Sequence, residues 1–183
     1  LIPTNEDTVM TPHKITPDEY HQMGPIFPVT RIELIEGGLF DMTPIGIPHV
    51  WAVGQLTRLL NRSQWAEQAM IFCQSPLSLP DSEPEPDLMV VKMADYRHRL
   101  PEPADVLLLI EVADSSIRYD RNRKLPLYAR YGIPEVWLID LNTRVVEVYR
   151  EPAGDSYQAV TTPNTLTPLA FPELTLALDD FLP

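Results

Sequence analysis

Residues 106–113 read Val-Leu-Leu-Leu-Ile-Glu-Val-Ala, seven apolar side chains around one carboxylate, Glu111. An apolar run of this length predicts a strand buried on both faces. An ionised carboxylate there is costly unless a cation or a set of donors meets it. A second acid, Asp87, opens the run Asp-Leu-Met-Val-Val. If the two strands pair antiparallel, the start of one lies beside the end of the other, and Asp87 and Glu111 converge at one rim of the sheet. Two converging carboxylates with open positions for water suit Mg²⁺, with Mn²⁺ as a substitute. The main-chain carbonyl of Val112 offers a third protein ligand. Such an ion can ligate and polarise a phosphoryl oxygen. Lys124 follows the loop Asp-Ser-Ser-Ile-Arg-Tyr-Asp, which returns the chain to the same rim. An ammonium there could stabilise the transition state of phosphoryl transfer or hold the attacking water.

Each of these residues also has a plainer reading. Asp87 could be a turn residue after Pro86. Glu111 could form a structural ion pair with Lys124 or an arginine, an arrangement compatible with a metal site. Glu33 alternates with Ile32 and Leu34 and reads equally as a solvent-facing strand residue. His49 could cap a helix or pack on the sheet edge, and a lone histidine is no basis for a catalytic role. Tyr128, four residues after Lys124, reads as a core residue with a bonded hydroxyl. Ser115 and Ser116 read as turn or helix-capping residues, and Cys73 as a buried small hydrophobe. Glu83 and Glu85 lie in a Pro-rich loop and read as solvated, with one of them a candidate for the metal shell.

The elements that must position these groups follow from turn signals and periodicity. Thr16 and Pro17 mark the start of a short helix. Arg-Ile-Glu-Leu-Ile-Glu-Gly-Gly-Leu-Phe-Asp-Met-Thr predicts a hairpin turning at Gly37-Gly38. From His49 to Arg62, Val50, Val53, Leu56, Leu59 and Leu60 recur at helical spacing. Strands are expected over Ala-Met-Ile-Phe-Cys, Asp-Leu-Met-Val-Val and the run holding Glu111. Pro126 is tolerated only in a first helical turn, which places the next helix start near Asn122 and its end at Gly132. Three further strands form a meander with one turn at Leu141-Asn142-Thr143. The pattern predicts an α/β chain, a mixed sheet with helices on it. Residues 1–30 read as an N-terminal arm with a short helix, and 31–183 as a single domain.

Bulk properties narrow the class. The 183 residues are 44% hydrophobic and 22% charged, enough to bury a core. No apolar segment is long enough for a transmembrane helix, and the sequence Leu-Ile-Pro-Thr-Asn-Glu-Asp-Thr-Val-Met has no secretory character. With one cysteine and so no internal disulfide, a cytoplasmic location is expected. A net charge of −12 disfavours indiscriminate adhesion to nucleic acid. Yet Arg118, Arg121, Arg123, Lys124 and Arg130 face only Asp120 between positions 118 and 130. Arg118, Arg121 and Arg123 are therefore candidate phosphate contacts, and a homodimer would join two such faces. Trp137, Tyr149 and Phe171 of the C-terminal part are candidates for that dimer interface.

Glu-Pro-Glu-Pro-Asp-Leu-Met-Val-Val followed by Ile-Glu-Val-Ala-Asp-Ser-Ser-Ile-Arg-Tyr-Asp-Arg-Asn-Arg-Lys resembles the PD-(D/E)xK nuclease superfamily. More closely, the chain is similar to a bacterial restriction-endonuclease-like branch. Glu33, Gly37, His49, Pro86-Asp87, Glu111-Val112, Ser115-Ser116, Asp120, Lys124, Tyr128, Gly132 and Glu-Val-Trp-Leu-Ile-Asp fall in the expected order. The resemblance implies a restriction-endonuclease-like mixed sheet flanked by helices, with the hairpin as an N-terminal extension. It implies Asp87 and Glu111 as metal ligands and DNA as substrate. The superfamily's lysine stands two residues beyond the acid, where this chain has Ala113, so Lys124 would replace it from the following helix. Glu33 resembles an additional acid that many members bring to a second metal or a water. A non-catalytic or assembly-dependent module on the same fold, binding a protein or nucleic-acid partner, is the alternative.

Overall fold

The run around Glu111 is the third of six strands in a mixed sheet. The computed structural model describes residues 11–24, 31–42, 44–62 and 67–183. Three strands precede the crossover: β3 (Ala69–Cys73), β4 (Leu88–Lys92) and β5 (Val106–Ala113). Three follow it: β6 (Glu135–Asp140), β7 (Val145–Ala153) and β8 (Ser156–Thr161). Spatial order equals chain order, and every neighbouring pair is antiparallel except β5 with β6. That parallel pair requires a crossover, and the crossover is the segment that carries Lys124.

Because side chains alternate across a strand, β5 feeds two cores. Leu108, Ile110 and Val112 pack with Ala52, Leu56 and Leu60 of helix α2 (Ile47–Asn61) and with Phe181 near the C-terminus. Leu109 and Ala113 pack on the opposite face with Leu125, Leu127 and Tyr128. Glu111 lies between Leu109 and Ala113 in sequence alternation and so emerges on this second face.

The crossover is one helical rod in three parts: α3 (Ile117–Tyr119), a π-helical turn (Asp120–Lys124) and α4 (Leu125–Arg130). It begins five residues before the expected start near Asn122. Pro126 therefore sits well inside the rod, where a missing N–H would break an α-helix. The π turn absorbs it: Leu125 N–H already reaches back to the Asp120 carbonyl. The helix ends as expected at Gly132, whose φ is +73°.

A separate two-stranded ribbon, β1 (Ile32–Ile35) with β2 (Gly38–Asp41), covers the second face. Its two-residue turn is Glu36-Gly37, with φ of +51° and +79°, rather than Gly37-Gly38. Two consecutive positive φ values are the geometry that matches strand twist in a tight hairpin. The ribbon is tied down by Leu34 opposite Glu83. Helix α1 (Pro17–Met23) has Thr16 and Glu19 as a reciprocal capping pair. Its Tyr20 hydroxyl donates to the Ile32 carbonyl. The remainder of the expected arm, 1–10 and 25–30, lies outside the described residues. Short strands β9 (Thr165–Leu166) and β10 (Leu176–Ala177) close the chain.

Other local expectations need correcting. The buried stripe of α2 is His49, Ala52, Leu56 and Leu60, while Val50 is exposed. Cys73 ends edge strand β3 and is exposed, not buried. Trp137 and Phe171 are core residues, which removes them as candidates for a dimer interface. Among the described residues, no helix is long and apolar enough to cross a membrane.

Candidate active site

Asp87 and Glu111 meet because of strand register. The β4–β5 ladder ends at Leu88 opposite Ile110. Continued by one residue, the same register sets Asp87 opposite Glu111, with both side chains on one face. Continued by two, it sets Pro86 opposite Val112. A proline has no N–H to give to the Val112 carbonyl; the Val112 N–H, for its part, donates to Asp87 Oδ2 at 2.8 Å. Val112 thus lines the cavity at the end of a ladder that Pro86 cannot prolong.

Asp87 is held on its other side as well. His49 Nε2 stands 2.9 Å from Asp87 Oδ1, and Gln74 Nε2 donates to the same oxygen at 3.4 Å. His49 was the residue that sequence reasoning left out of the site. The available signal was its phase: it precedes Ala52, Leu56 and Leu60 by three, seven and eleven positions, on the inward stripe of α2. Its Nδ1 finds no partner.

Glu111 is buried, and its Oε1 accepts from the Tyr128 hydroxyl at 2.6 Å. Lys124 Nζ lies 3.3 Å from the same oxygen and 2.7 Å from Glu33 Oε1. Glu33 Oε1 also accepts the Glu85 N–H at 2.7 Å. Burial on both faces of β1 removes the solvent-facing reading of Glu33. In Glu33 and Glu111 alike, the second carboxylate oxygen accepts no hydrogen bond from the described residues. The deeply buried side-chain polar atoms without a partner are His49 Nδ1 and the Tyr119 hydroxyl. Both acids line the same cavity.

The π turn decides which cations and acids point inward. Asp120 and Lys124, at its two ends, are both buried, while Arg118, Arg121 and Arg123 are exposed. None of those three arginines lines the cavity, and Arg121 is paired with Glu147 at 3.0 Å. Asp120 Oδ2 accepts from the Ser116 hydroxyl at 2.6 Å, so Ser116 fixes an acid and makes no side-chain helix cap. Glu83 is buried against His21 at 2.9 Å, and Glu85 pairs with Arg31 at 2.6 Å, so neither is a freely solvated loop residue.

Electrostatics follow from this crowding. Burial pushes the Glu111 carboxyl well above the usual range, and Asp120, Asp87 and Glu33 add to the shift while Lys124 opposes it. Burial likewise raises Asp120, opposed by Lys124 and Ser116. Burial works against the charge of Lys124, but Glu111, Glu33 and Asp120 outweigh it and hold the ammonium above the ordinary lysine range.

The superfamily position two residues past the acid is Ala113, on the same face of β5 as Glu111. Lys124 comes from the crossover instead, and its ammonium lies 3.3 Å from the Glu111 carboxylate.

The family is recognisable over nearly the whole chain. A family model, Uma2, described as "Putative restriction endonuclease", matches residues 17–179. The chain belongs to the Uma2 family. A crystal structure of a "putative nuclease belonging to DUF820 from Anabaena variabilis ATCC 29413" superposes with a TM-score of 0.70. It shares 20% identity, covering 92% of this chain and 97% of that one. No curated protein matches. This Uma2 chain therefore has the restriction-endonuclease-like fold of the PD-(D/E)xK superfamily, and its family and structural neighbour are both described as nucleases.

Proposed function

We propose that this chain is a metal-dependent endonuclease that hydrolyses DNA phosphodiester bonds. The observation that carries the reading is the register that sets Asp87 opposite Glu111, with Lys124 Nζ 3.3 Å from Glu111 Oε1. Asp87, Glu111 and the Val112 carbonyl form a hard oxygen set suited to Mg²⁺, or Mn²⁺ in its place. Glu33 lines the same cavity and is the candidate for a second ion or a water. Among the described residues no group of three or more His, Cys, Asp or Glu is arranged as a metal cluster. A cation held in the cavity would polarise a phosphoryl oxygen and make water a stronger nucleophile at neutral pH.

The protein's own groups supply the rest. His49, Gln74 and the Val112 N–H fix both oxygens of Asp87. Tyr128 fixes Glu111. Lys124 retains donor capacity for charge that builds on the phosphoryl oxygens or for the attacking water. The test is Mg²⁺-dependent cleavage of DNA by Asp87→Asn and Glu111→Gln. Each should abolish it while the protein stays folded by circular dichroism, and cleavage surviving in both would overturn the assignment.

One observation favours a second reading, a binding module without turnover. Lys124 already bridges Glu33 and Glu111, so these acids have a counter-charge without a metal. Calorimetric titration separates the two. Uptake of Mn²⁺ that disappears in Asp87→Asn supports the nuclease, and no uptake at millimolar concentration by the folded protein supports the module.

A further inference from the structure

Helix α2 has two faces. The inward stripe begins at His49, while Ile47, Val50 and Trp51, at i, i+3 and i+4, share the outward one. They are 86%, 60% and 52% exposed. Large exposed apolar side chains among the described residues number eight, and four of them fall within 45–51: Ile45, Ile47, Val50 and Trp51. Such clustering marks a contact surface more than scattered exposure does.

The cluster is continuous with the active-site cavity. Ile45 and Gly46 line that cavity. A Cβ on Gly46 would stand 3.0 Å from Asp114 Oδ2, so the first turn of α2 is seated against the loop that leaves β5. Inside, Phe40 and Tyr119 also line the cavity, with ring centroids 5.4 Å apart. The cavity thus holds two rings and Ile45 in its lining, and Ile45 belongs to the exposed apolar cluster that includes Trp51.

Charge disfavours any binding that rests on phosphate contacts alone. Seven carboxyl groups line the cavity against two cations, Arg31 and Lys124, and both cations are already paired with acids. A closed duplex presents phosphates outward and keeps its base faces stacked. This rim offers the phosphates of either form few free cations, so selection falls to the exposed indole of Trp51, on which an unstacked base can lie and a closed duplex cannot. The cavity, about 340 Å³, lies at the small end of ligand pockets and admits a nucleotide-sized group.

We propose that Ile47, Val50 and Trp51 form a stacking platform for an unpaired nucleobase, so that the site takes single-stranded or frayed nucleic acid in preference to closed duplex. The inference rests on the nuclease reading for the site, but its test is separable. Binding is measured in EDTA by anisotropy, with a labelled single strand of about 15 nucleotides and the duplex of the same sequence. The wild type should bind the single strand more tightly. Trp51→Ala should weaken that binding by roughly five- to a hundred-fold, from the usual worth of one stacked base. It should leave duplex binding unchanged, and Trp51→Phe should recover most of the loss. Equal affinity for both ligands, or an equal loss on both, would overturn the platform. So would a Trp51→Ala variant whose one change is self-association in sedimentation, since the stripe would then be a face for a second copy. Failure of the wild type to cleave any DNA in Mg²⁺ would instead sink the nuclease reading, whatever the binding data gave.

Discussion

Glu111 carries most of the electrostatic tension in the site. A group whose folded-state pKa is raised contributes stability fully present below its unfolded value, lost as pH rises through the folded one. Glu111 and Asp120 both have this sign. Glu111→Gln removes the first contribution while leaving a side chain to accept from Tyr128. Its melting temperature should gain on the wild type as pH rises from about 4, the ordinary carboxylate range, towards neutrality. A constant difference across that range would show that the acid is not strained. Lys124 has the opposite role, because removing it strands two buried carboxylates. Lys124→Met should cost about 3–5 kcal/mol, a fall on the order of ten degrees in Tm. Adding Glu33→Gln should restore more than half of it without restoring cleavage. His49→Ala leaves Asp87 oriented by Gln74 and the Val112 N–H alone, and should reduce metal affinity or turnover by roughly 10- to 100-fold. Calorimetry and cleavage rates read the two effects separately. Asp87 and Glu111 were legible because an acid in an apolar run demands an explanation. His49 was not, because a single histidine at a helix start is compatible with many packings, and only its phase with Leu56 and Leu60 marked it as inward. Glu33 was ambiguous for a related reason: alternation assigns a face only when one side of a strand meets water, and β1 is buried on both.

Among the elements, the strands were the most readable, since their apolar runs and bounding turns are local. The antiparallel pairing of β4 with β5 was a condition of the sequence argument, and it is the pairing observed. The crossover was misread because Pro126 was weighed against α-helical bonding alone. A π turn shifts donors by one residue, a solution that 3.6-residue periodicity does not reveal. The hairpin was placed one residue late because two adjacent glycines fit a tight turn in either frame. The pairing of Ile35 with Gly38 settles it. Gly37, common to both frames, has a φ of +79°, and a Cβ there would meet Lys14 Cβ at 2.6 Å. Gly37→Ala should therefore destabilise by about 1–2 kcal/mol, seen as a Tm lower by a few degrees. The same change at Gly54, where nothing lies within 4 Å, should be neutral or stabilising.

On the scale of the whole molecule, charge rather than shape governs the encounter with a polyanion. The chain carries −12, and its exposed arginines Arg118 and Arg123 make no ion pair among the described residues. If they touch phosphates away from the cavity, Arg118→Ala with Arg123→Ala should weaken nucleic-acid binding evenly across sequences. The slope of log affinity against log salt should flatten by about 0.9 per lost contact. An unchanged slope would assign both to solvent. The Glu33–Lys124 pair has a wider consequence. It joins the ribbon to the crossover across 91 positions, while the Glu85 N–H brings a third segment to the same oxygen. Contacts so remote along the chain tend to form after local ones. Without the ribbon the ammonium would keep Glu111 but lose its nearer counter-charge. The centre therefore depends on segments far apart in the chain being docked together, and a fragment lacking the ribbon would carry most of its ingredients without the arrangement.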